Sequence, residues 1–247
     1  MSQSITAVVG ARIDRANALL NEINSLRTFA TRPERIRVEP VIEDDIARFI
    51  GRIIEEPPIS LSVLLGEFFY ELRASLENLA WHLAENPREG QTGFPVCERE
   101  ECWASRRTRA RYRSIPEKKC ELIKSLQPFT YGEEFRAHPL WQLDQFAKRD
   151  RHRLITAVAV WNPSITFLAL SLPDSMPKVL SLHFEDGQVI CLLKLTDWWR
   201  NHWDIAELKF HPDLALGADG PGQGKPILSA AQEYIDWVQT SLDSLLA

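Results

Sequence analysis

The strongest constraint on the fold is an apolar repeat of three- and four-residue steps in the first third of the chain. It consists of leucines and one phenylalanine, and it stops at Asn86-Pro87. This spacing places every apolar side chain on one face of an α-helix, and proline cannot continue the helix. The sequence therefore predicts a long helix at the centre of the core. Its apolar positions are Leu61, Leu65, Phe68, Leu72, Leu76, Leu79 and Leu83.

Four other segments have helical spacing. Apolar residues return every three or four positions over residues 13–27, 118–126 and 228–246. The same spacing runs from Leu140 to Trp161, so one helix is predicted to pass straight through the polar stretch KRDRHR. Together with the long helix, these segments predict a bundle of four to five helices.

The region between residues 164 and 211 alternates apolar and polar side chains, which is typical of a β-sheet. Two alternating runs flank Asp186-Gly187, a dipeptide that favours a tight hairpin turn. The pattern predicts a small antiparallel sheet in the C-terminal half. Its predicted strands are residues 165–171, 179–184, 189–195 and 205–210.

The segment before the long helix is less uniform. Residues 36–38 alternate like a short strand that ends at Pro40 and joins the sheet, whereas residues 46–54 fit a strand or a helix. The predicted fold class is α+β in a single domain. The helical core is expected over about residues 10–160 and 228–246, with the sheet inserted over about residues 164–211.

Composition limits the class of protein. The chain has 247 residues, of which 45% are hydrophobic and 26% charged, as in ordinary globular proteins. It shows neither a signal peptide nor a bilayer-spanning apolar run, so a cytoplasmic protein without a membrane partner is expected. The four cysteines lack metal-ligand or redox spacing, so reduced thiols and no metal or cofactor are expected. A net charge of −5 argues against coating by nucleic acid but permits a local basic site.

Residues 148–153, KRDRHR, concentrate charge on a predicted helix. Asp150 lies on the apolar stripe, and a buried carboxylate is costly without a cation beside it. Arg153, one turn further, or Arg73 on the long helix is the predicted partner. His152 lies beside that stripe, where cations and a carboxylate together suit proton exchange near neutral pH. Two interpretations remain: a functional site, or an ion-pair network that fixes how two helices pack.

Seven short motifs within residues 55–155 resemble those of a widespread set of uncharacterised bacterial proteins. The pattern of that family is EPP, a Gly-Asp/Glu turn, LRxALDHLAW, FPI, QPY, HPLW and DKHR. The resemblance implies a shared fold and no particular activity. In this chain the motifs are Glu56-Pro57-Pro58, Gly66-Glu67, LRASLENLAW at residues 72–81, Phe94-Pro95-Val96, Gln127-Pro128-Phe129, HPLW at residues 138–141 and DRHR at residues 150–153.

The LRASLENLAW element is in turn similar to the Arg-x4–6-His signature of HEPN-type helical nucleases. That resemblance implies a metal-independent RNase that acts on RNA as a homodimer, in a toxin or defence setting. Arg73 matches the arginine of the signature, and Asn78 occupies the position of its histidine. His82 or His152 would then have to carry the proton.

The nuclease hypothesis assigns a role to each polar residue. His152 would exchange protons with the RNA 2′-hydroxyl and the leaving oxygen, Arg73 and Arg153 would bind the phosphate, and Asp150 would orient them. The basic stretch at residues 106–113, expected to be solvated or disordered when free, would attract the RNA backbone. The predicted catalytic residues are His152, Arg73, Asp150 and Arg153, and the predicted substrate-binding residues are His82, Asn78, Arg107 and Arg109.

The alternative hypothesis is a non-catalytic binding or interaction protein. Its Arg/Asp/His cluster would be a structural ion-pair network or a site for an anionic ligand. Trp198, Trp199 and Trp203 would line a contact surface, although such rings more often cap a core beside a sheet. The glycine-rich residues 217–226 lack the flanking elements of a phosphate-binding loop and are interpreted as a flexible connection.

Overall fold

The fold combines long helices with two antiparallel sheets, so the predicted α+β class is confirmed. The computed structural model describes residues 4–150, 153–167, 175–176, 178–181, 185–202, 206–217 and 220–247, without the side chains of residues 161–167, 202 and 206–210. The elements in chain order are α1 (Ile5–Ala30), β1 (Ile36–Glu43), β2 (Ile46–Ile53), α2 (Ile59–Leu83), α3 (Glu100–Trp103), α4 (Arg106–Tyr112), α5 (Glu117–Ser125), a 3₁₀ segment (Pro128–Ala137), α6 (Pro139–Asp150), β3 (Ala157–Phe167), β4 (Lys178–Val179), β5 (Val189–Lys194), α7 (Asp197–His202), β6 (Ala206–Leu216) and α8 (Ile227–Leu246).

The predicted long helix, α2, lies at the centre of the core. The leucines of its apolar repeat are buried from Leu61 to Leu79, and α2 contacts α1, α6 and α8. Phe69 of α2 stacks on Phe146 of α6 with ring centroids 3.9 Å apart, and Tyr234 of α8 meets Phe69 edge-on at 5.4 Å. Such aromatic contacts contribute beyond the area they bury, so they fix three helices against one another.

Helix α6 is shorter than predicted. It ends at Asp150, and residues 157–167 form β3, which pairs with β6. The prediction of one helix through Trp161 is wrong because short apolar runs fit both helical and strand spacing. The run ITAVAVW is rich in β-branched residues, which favour strands, and the ladder with β6 satisfies its backbone groups. The polar stretch therefore lies where a helix ends.

The strands form two sheets. One has the order β1-β2-β5-β4, and the other is a ribbon of β3 and β6. The predicted hairpin around Asp186-Gly187 is present as the β4–β5 pair, and Gly187 has the positive φ of 80° that its turn requires. Residues 36–38 join the first sheet as predicted. Parts of the predicted strands, residues 168–171, 182–184 and 205, lie outside the described residues.

The backbone conformation tests three local predictions. Strand β1 continues through Pro40 to Glu43 because β1 is an edge strand, where a missing N–H costs no ladder hydrogen bond. The ambiguous segment at residues 46–54 forms β2. The basic stretch at residues 106–113, expected to be solvated or disordered, forms α4, and its N-cap Ser105 accepts a hydrogen bond from the Thr108 N–H at 3.2 Å.

Candidate functional site

Arg73 is packed into the interior and does not open into a cleft. The residue is 8% exposed. Its Nη2 donates to Glu77 Oε1 at 2.6 Å and to the Phe94 carbonyl at 3.0 Å, while its Nε donates to Asp144 Oδ1 at 3.4 Å. An arginine of α2 therefore meets a carboxylate of α6, but that carboxylate is Asp144 and not Asp150, for which Arg73 was one of two predicted partners.

Glu77 connects this buried network to the rest of the chain. Its Oε1 also accepts from Arg111 Nη2 of α4, and its Oε2 accepts from the Phe94 N–H, both at 2.9 Å. A Cβ at Gly93 would lie 2.3 Å from Glu77 Oε2 and 2.5 Å from Arg111 Nη2, so any larger residue would displace the ends of these two side chains. The network thus ties α2 to α4, to α6 and to the loop that precedes α3.

Asp150 packs against Gly66, two helical turns from Arg73 along α2. A Cβ at Gly66 would lie 2.0 Å from Asp150 Oδ1, so a larger residue there would displace the Asp150 carboxyl. Burial raises the pKa of the Asp150 carboxyl, and nearby Glu67 raises it further. Within the described part of the chain, the predicted partners Arg73 and Arg153 form no salt bridge with Asp150.

Two further motif residues are buried and hold the chain in place. His138 is 3% exposed, and its Nδ1 accepts from the Leu140 N–H at 3.1 Å, which caps α6. Burial lowers the pKa of His138 to about 4. Gln127 is fully buried, where its Oε1 accepts from the Cys97 N–H at 2.9 Å and its Nε2 donates to the Ile123 carbonyl at 3.1 Å. The motifs of the resemblance therefore mark a structural framework.

A cleft of about 880 Å³ lies between α6 and the glycine-rich loop that follows β6. Four cations contribute to its lining, and the described lining residues include no carboxylate. Convergent cations produce a positive potential that attracts anions, and low-dielectric walls focus it. The lining residues are Arg136, Trp141, Gln142, Gln145, Lys148, Arg149, Arg153, Gly220, Pro221, Gly222 and Gln223.

Internal contacts fix the walls of the cleft. The Tyr234 hydroxyl donates to Gln142 Oε1 at 2.6 Å, and Gln142 Nε2 donates to the Arg136 carbonyl at 3.0 Å. On the loop side, a Cβ at Gly220 would lie 3.1 Å from Arg149 Nη1, so the missing side chain gives the arginine room. Residues 220–223 of the segment interpreted as a flexible connection thus form one wall of the cleft.

The four predicted catalytic residues do not share one pocket. Arg153 lines the cleft, whereas Arg73 lies in the buried network and Asp150 lies half-buried at Gly66. His152 lies outside the described residues. The structure therefore brings Arg153, and not Arg73, together with the cations of α6.

The predicted substrate-binding residues lie on two other surfaces. His82 is exposed near the end of α2, where its Nδ1–H donates to the Asn78 carbonyl at 2.8 Å. Asn78 borders a separate cavity of about 710 Å³ between α1 and α2. Arg107 and Arg109 are exposed on α4. Neither pair lines the cleft.

Sequence reasoning missed Asp144, Arg136 and Trp141. Asp144 precedes Lys148 by one helical turn, and its Oδ2 lies 2.6 Å from Lys148 Nζ. That i, i+4 spacing was a usable signal, because such a pair shares one helix face. Trp141 was noted only as the last residue of the HPLW motif, and Arg136 carried no signal, since only the turn between the 3₁₀ segment and α6 brings them to the cleft.

The tryptophan cluster belongs mainly to the core. Trp199 is fully buried, and its indole N–H donates to the Ser175 carbonyl at 2.8 Å. Trp198 packs edge-on against Trp199 at a centroid distance of 5.2 Å. The prediction that such rings cap the core is confirmed for Trp199, whereas Trp203 lies outside the described residues.

Comparisons of this chain with known proteins assign it to no family. In the part of the chain that the structure describes, no helix is long and apolar enough to cross a membrane, and no three metal-ligating side chains cluster. Comparison with protein-family models, curated proteins and solved structures finds no match to this chain.

Proposed function

We propose that this protein binds RNA through the cleft between α6 and the glycine-rich loop. The observation that supports the proposal is the convergence of Arg136, Lys148, Arg149 and Arg153 on one concave surface whose described lining lacks a carboxylate. Phosphate contacts by Lys and Arg supply most of the affinity in RNA recognition. A chain of net charge −5 that concentrates cations in one place has a site for an anion rather than a general basic coat.

The exposure of these cations suits a ligand that enters from solvent. Lys148 is 61% exposed at its side chain, and Arg136 and Arg153 are also exposed. A guanidinium can bind a phosphate through two parallel hydrogen bonds, which gives orientation as well as charge. Several such groups around about 880 Å³ suit a run of phosphates better than a single carboxylate.

For Arg73, but not for the cleft residues, the contacts favour the alternative hypothesis of a structural ion-pair network. With Glu77, Asp144 and the Phe94 carbonyl around it, Arg73 is a structural ion-pair residue. The nuclease hypothesis then depends on Arg153 in the cleft and on His152 as the proton carrier. Metal-independent cleavage by this pair is the catalytic extension of the RNA-binding proposal.

A binding titration tests the proposal. Fluorescence anisotropy of a short labelled RNA of mixed sequence, with chelator present, should show binding that weakens as salt is raised. Arg153→Ala should raise the Kd about tenfold or more, because a charge-assisted contact contributes about 1.5–3 kcal/mol. Arg136→Ala should reduce the slope of log Kd against log salt concentration by about one, as expected for the loss of one phosphate contact.

Arg48→Ala is the matched control, since Arg48 is an exposed arginine of β2 paired with Glu43 outside the cleft. It removes the same charge and should leave the Kd unchanged. Equal losses in Arg48→Ala and Arg153→Ala, or no RNA binding by the wild type, would contradict the proposal. Gel analysis of the same samples, with His152→Ala beside the wild type, tests cleavage separately from binding.

A further inference from the structure

We infer that Trp141 stacks on an unpaired base, so that the cleft selects single-stranded over double-stranded RNA; this inference rests on the proposed RNA binding. Trp141 is the aromatic residue of the cleft lining. Aromatic rings beside a basic groove are the recurring means of holding single strands, because every base has a face that can stack.

The indole ring is held in one orientation before any ligand arrives. Its N–H donates to Glu98 Oε1 at 2.8 Å, and the Phe135 ring stands nearly perpendicular to it at 83°, with centroids 6.0 Å apart. Both contacts restrict rotation of the Trp141 side chain. A fixed ring loses little conformational freedom on binding, which favours affinity.

The position of Trp141 suits one base and its neighbouring phosphates. Trp141, Gln145, Lys148 and Arg149 all line the cleft from α6, and Lys148 lies two turns from Trp141, about 10 Å along the helix axis. The phosphates beside a stacked base lie between these positions, and Lys148 would exchange its contact with Asp144 Oδ2 for one of them. A base on Trp141 thus leaves the adjoining backbone within reach of two cations.

Duplex RNA cannot make the same contact. Each internal base of a duplex is covered on both faces by its neighbours, and the A-form major groove is too deep and narrow for side chains. The half-buried Trp141 lies in a concave surface, so an intact duplex cannot bring a base face to it. Only a splayed, unpaired base can enter.

The occupied N–H also bears on sequence preference. Because Glu98 already accepts the only hydrogen bond that the Trp141 side chain can donate, the ring is left with stacking alone. Stacking tolerates all four bases. The cleft should therefore distinguish strandedness strongly and sequence weakly.

The test compares one RNA in two forms, single-stranded and annealed to its complement, against the full chain in chelator by anisotropy. The single strand should bind at least tenfold more tightly than the duplex. Trp141→Ala should weaken single-strand binding about 5- to 150-fold, as expected for the loss of one stacked base. The same variant should leave the duplex Kd unchanged, and Trp141→Phe should retain most of the single-strand affinity.

Glu98 supplies a positioning control. Glu98→Ala should weaken single-strand binding by releasing the ring, and Glu98→Gln, which keeps an acceptor oxygen, should restore it. A 2-aminopurine placed in the single strand reports stacking directly, since its fluorescence should change with wild-type protein and much less with Trp141→Ala. Thermal unfolding of each variant shows whether it is folded.

The outcomes distinguish a failure of strand selection from a failure of RNA binding. Equal affinity for both forms, or equal losses of both in Trp141→Ala, overturns strand selection and leaves RNA binding in place. Failure of the wild type to bind either form overturns both.

Discussion

The buried network around Arg73 and the basic cleft use the same residue types on neighbouring faces of α6 but in opposite environments. Asp144 belongs to one and borders the other: its Oδ1 accepts from Arg73, while its Oδ2 pairs with Lys148. The Arg73 side chain is 10% exposed and that of Lys148 is 61% exposed. A charge removed from water must be paired inside the protein, whereas an exposed cation such as Lys148 can exchange its partner for water or a ligand. Burial, and not residue type, therefore separates the two regions.

The largest expected effect comes from breaking the buried network. Arg73→Ala should lower the free energy of unfolding by about 3–4 kcal/mol, in the lower part of the range for a buried pair, because Asp144 and Glu77 lose a shared buried cation but keep Lys148 and Arg111. Urea denaturation measures this change. The exposed pair of Arg48 and Glu43 is the control, and Arg48→Ala should have little effect. If Arg73→Ala loses RNA affinity but keeps its stability, Arg73 belongs to the RNA-binding site and not to a structural ion-pair network.

The second effect is a pH dependence from His138. Burial lowers its pKa from 6.5 to about 4, so the unfolded chain binds a proton over that range and the folded protein does not. Stability should therefore fall by roughly 3 kcal/mol as pH drops from 6.5 to 4. His138→Asn retains a capping oxygen and cannot take a proton, so its stability should change much less over this range. Parallel pH curves for the two proteins would show that His138 is not the cause.

A smaller effect tests the contact between Gly66 and Asp150. Gly66→Ala places a Cβ against the carboxyl and should destabilise the protein by roughly 1–3 kcal/mol, less the gain in helix propensity. In an Asp150→Ala background the clash is gone, and the same change should stabilise α2 by up to about 1 kcal/mol. A double-mutant cycle by urea denaturation measures this coupling. Additive effects would mean that the two helices do not meet here.

The smallest effect on stability is expected in the cleft. Arg153→Ala should change the free energy of unfolding by no more than about 0.5 kcal/mol, because Arg153 is exposed. The same variant should lose RNA affinity, the reverse of Arg73→Ala. Denaturation and anisotropy on both variants give the contrast directly. A cleft variant that unfolds as readily as Arg73→Ala would remove the distinction between the two regions.

Sequence reasoning located the main helices because their apolar faces repeat over many turns. It also offered Arg73 of α2, as an alternative to Arg153, as the partner of Asp150 of α6, and it did not consider Asp144. Asp150 does not reach Arg73 because it meets α2 at Gly66, two helical turns away, and periodicity does not fix which turns of two helices meet. The length of α6 was also mispredicted, since the helix ends at Asp150. Helix length depends on whether a following segment finds a strand partner, and β6 lies about fifty residues further along the chain.

What the sequence determined by itself was local: the long α2, the C-terminal α8, the hairpin at Asp186-Gly187 and the presence of a cationic stretch before β3. Tertiary structure alone decided which charges are buried and which are open. It paired Arg73 with Asp144 and Glu77. It also formed the cleft from α6, Arg136 and a glycine-rich loop that is distant in sequence. The physical reason is that periodicity fixes the face of a helix, while exposure depends on what packs against that face.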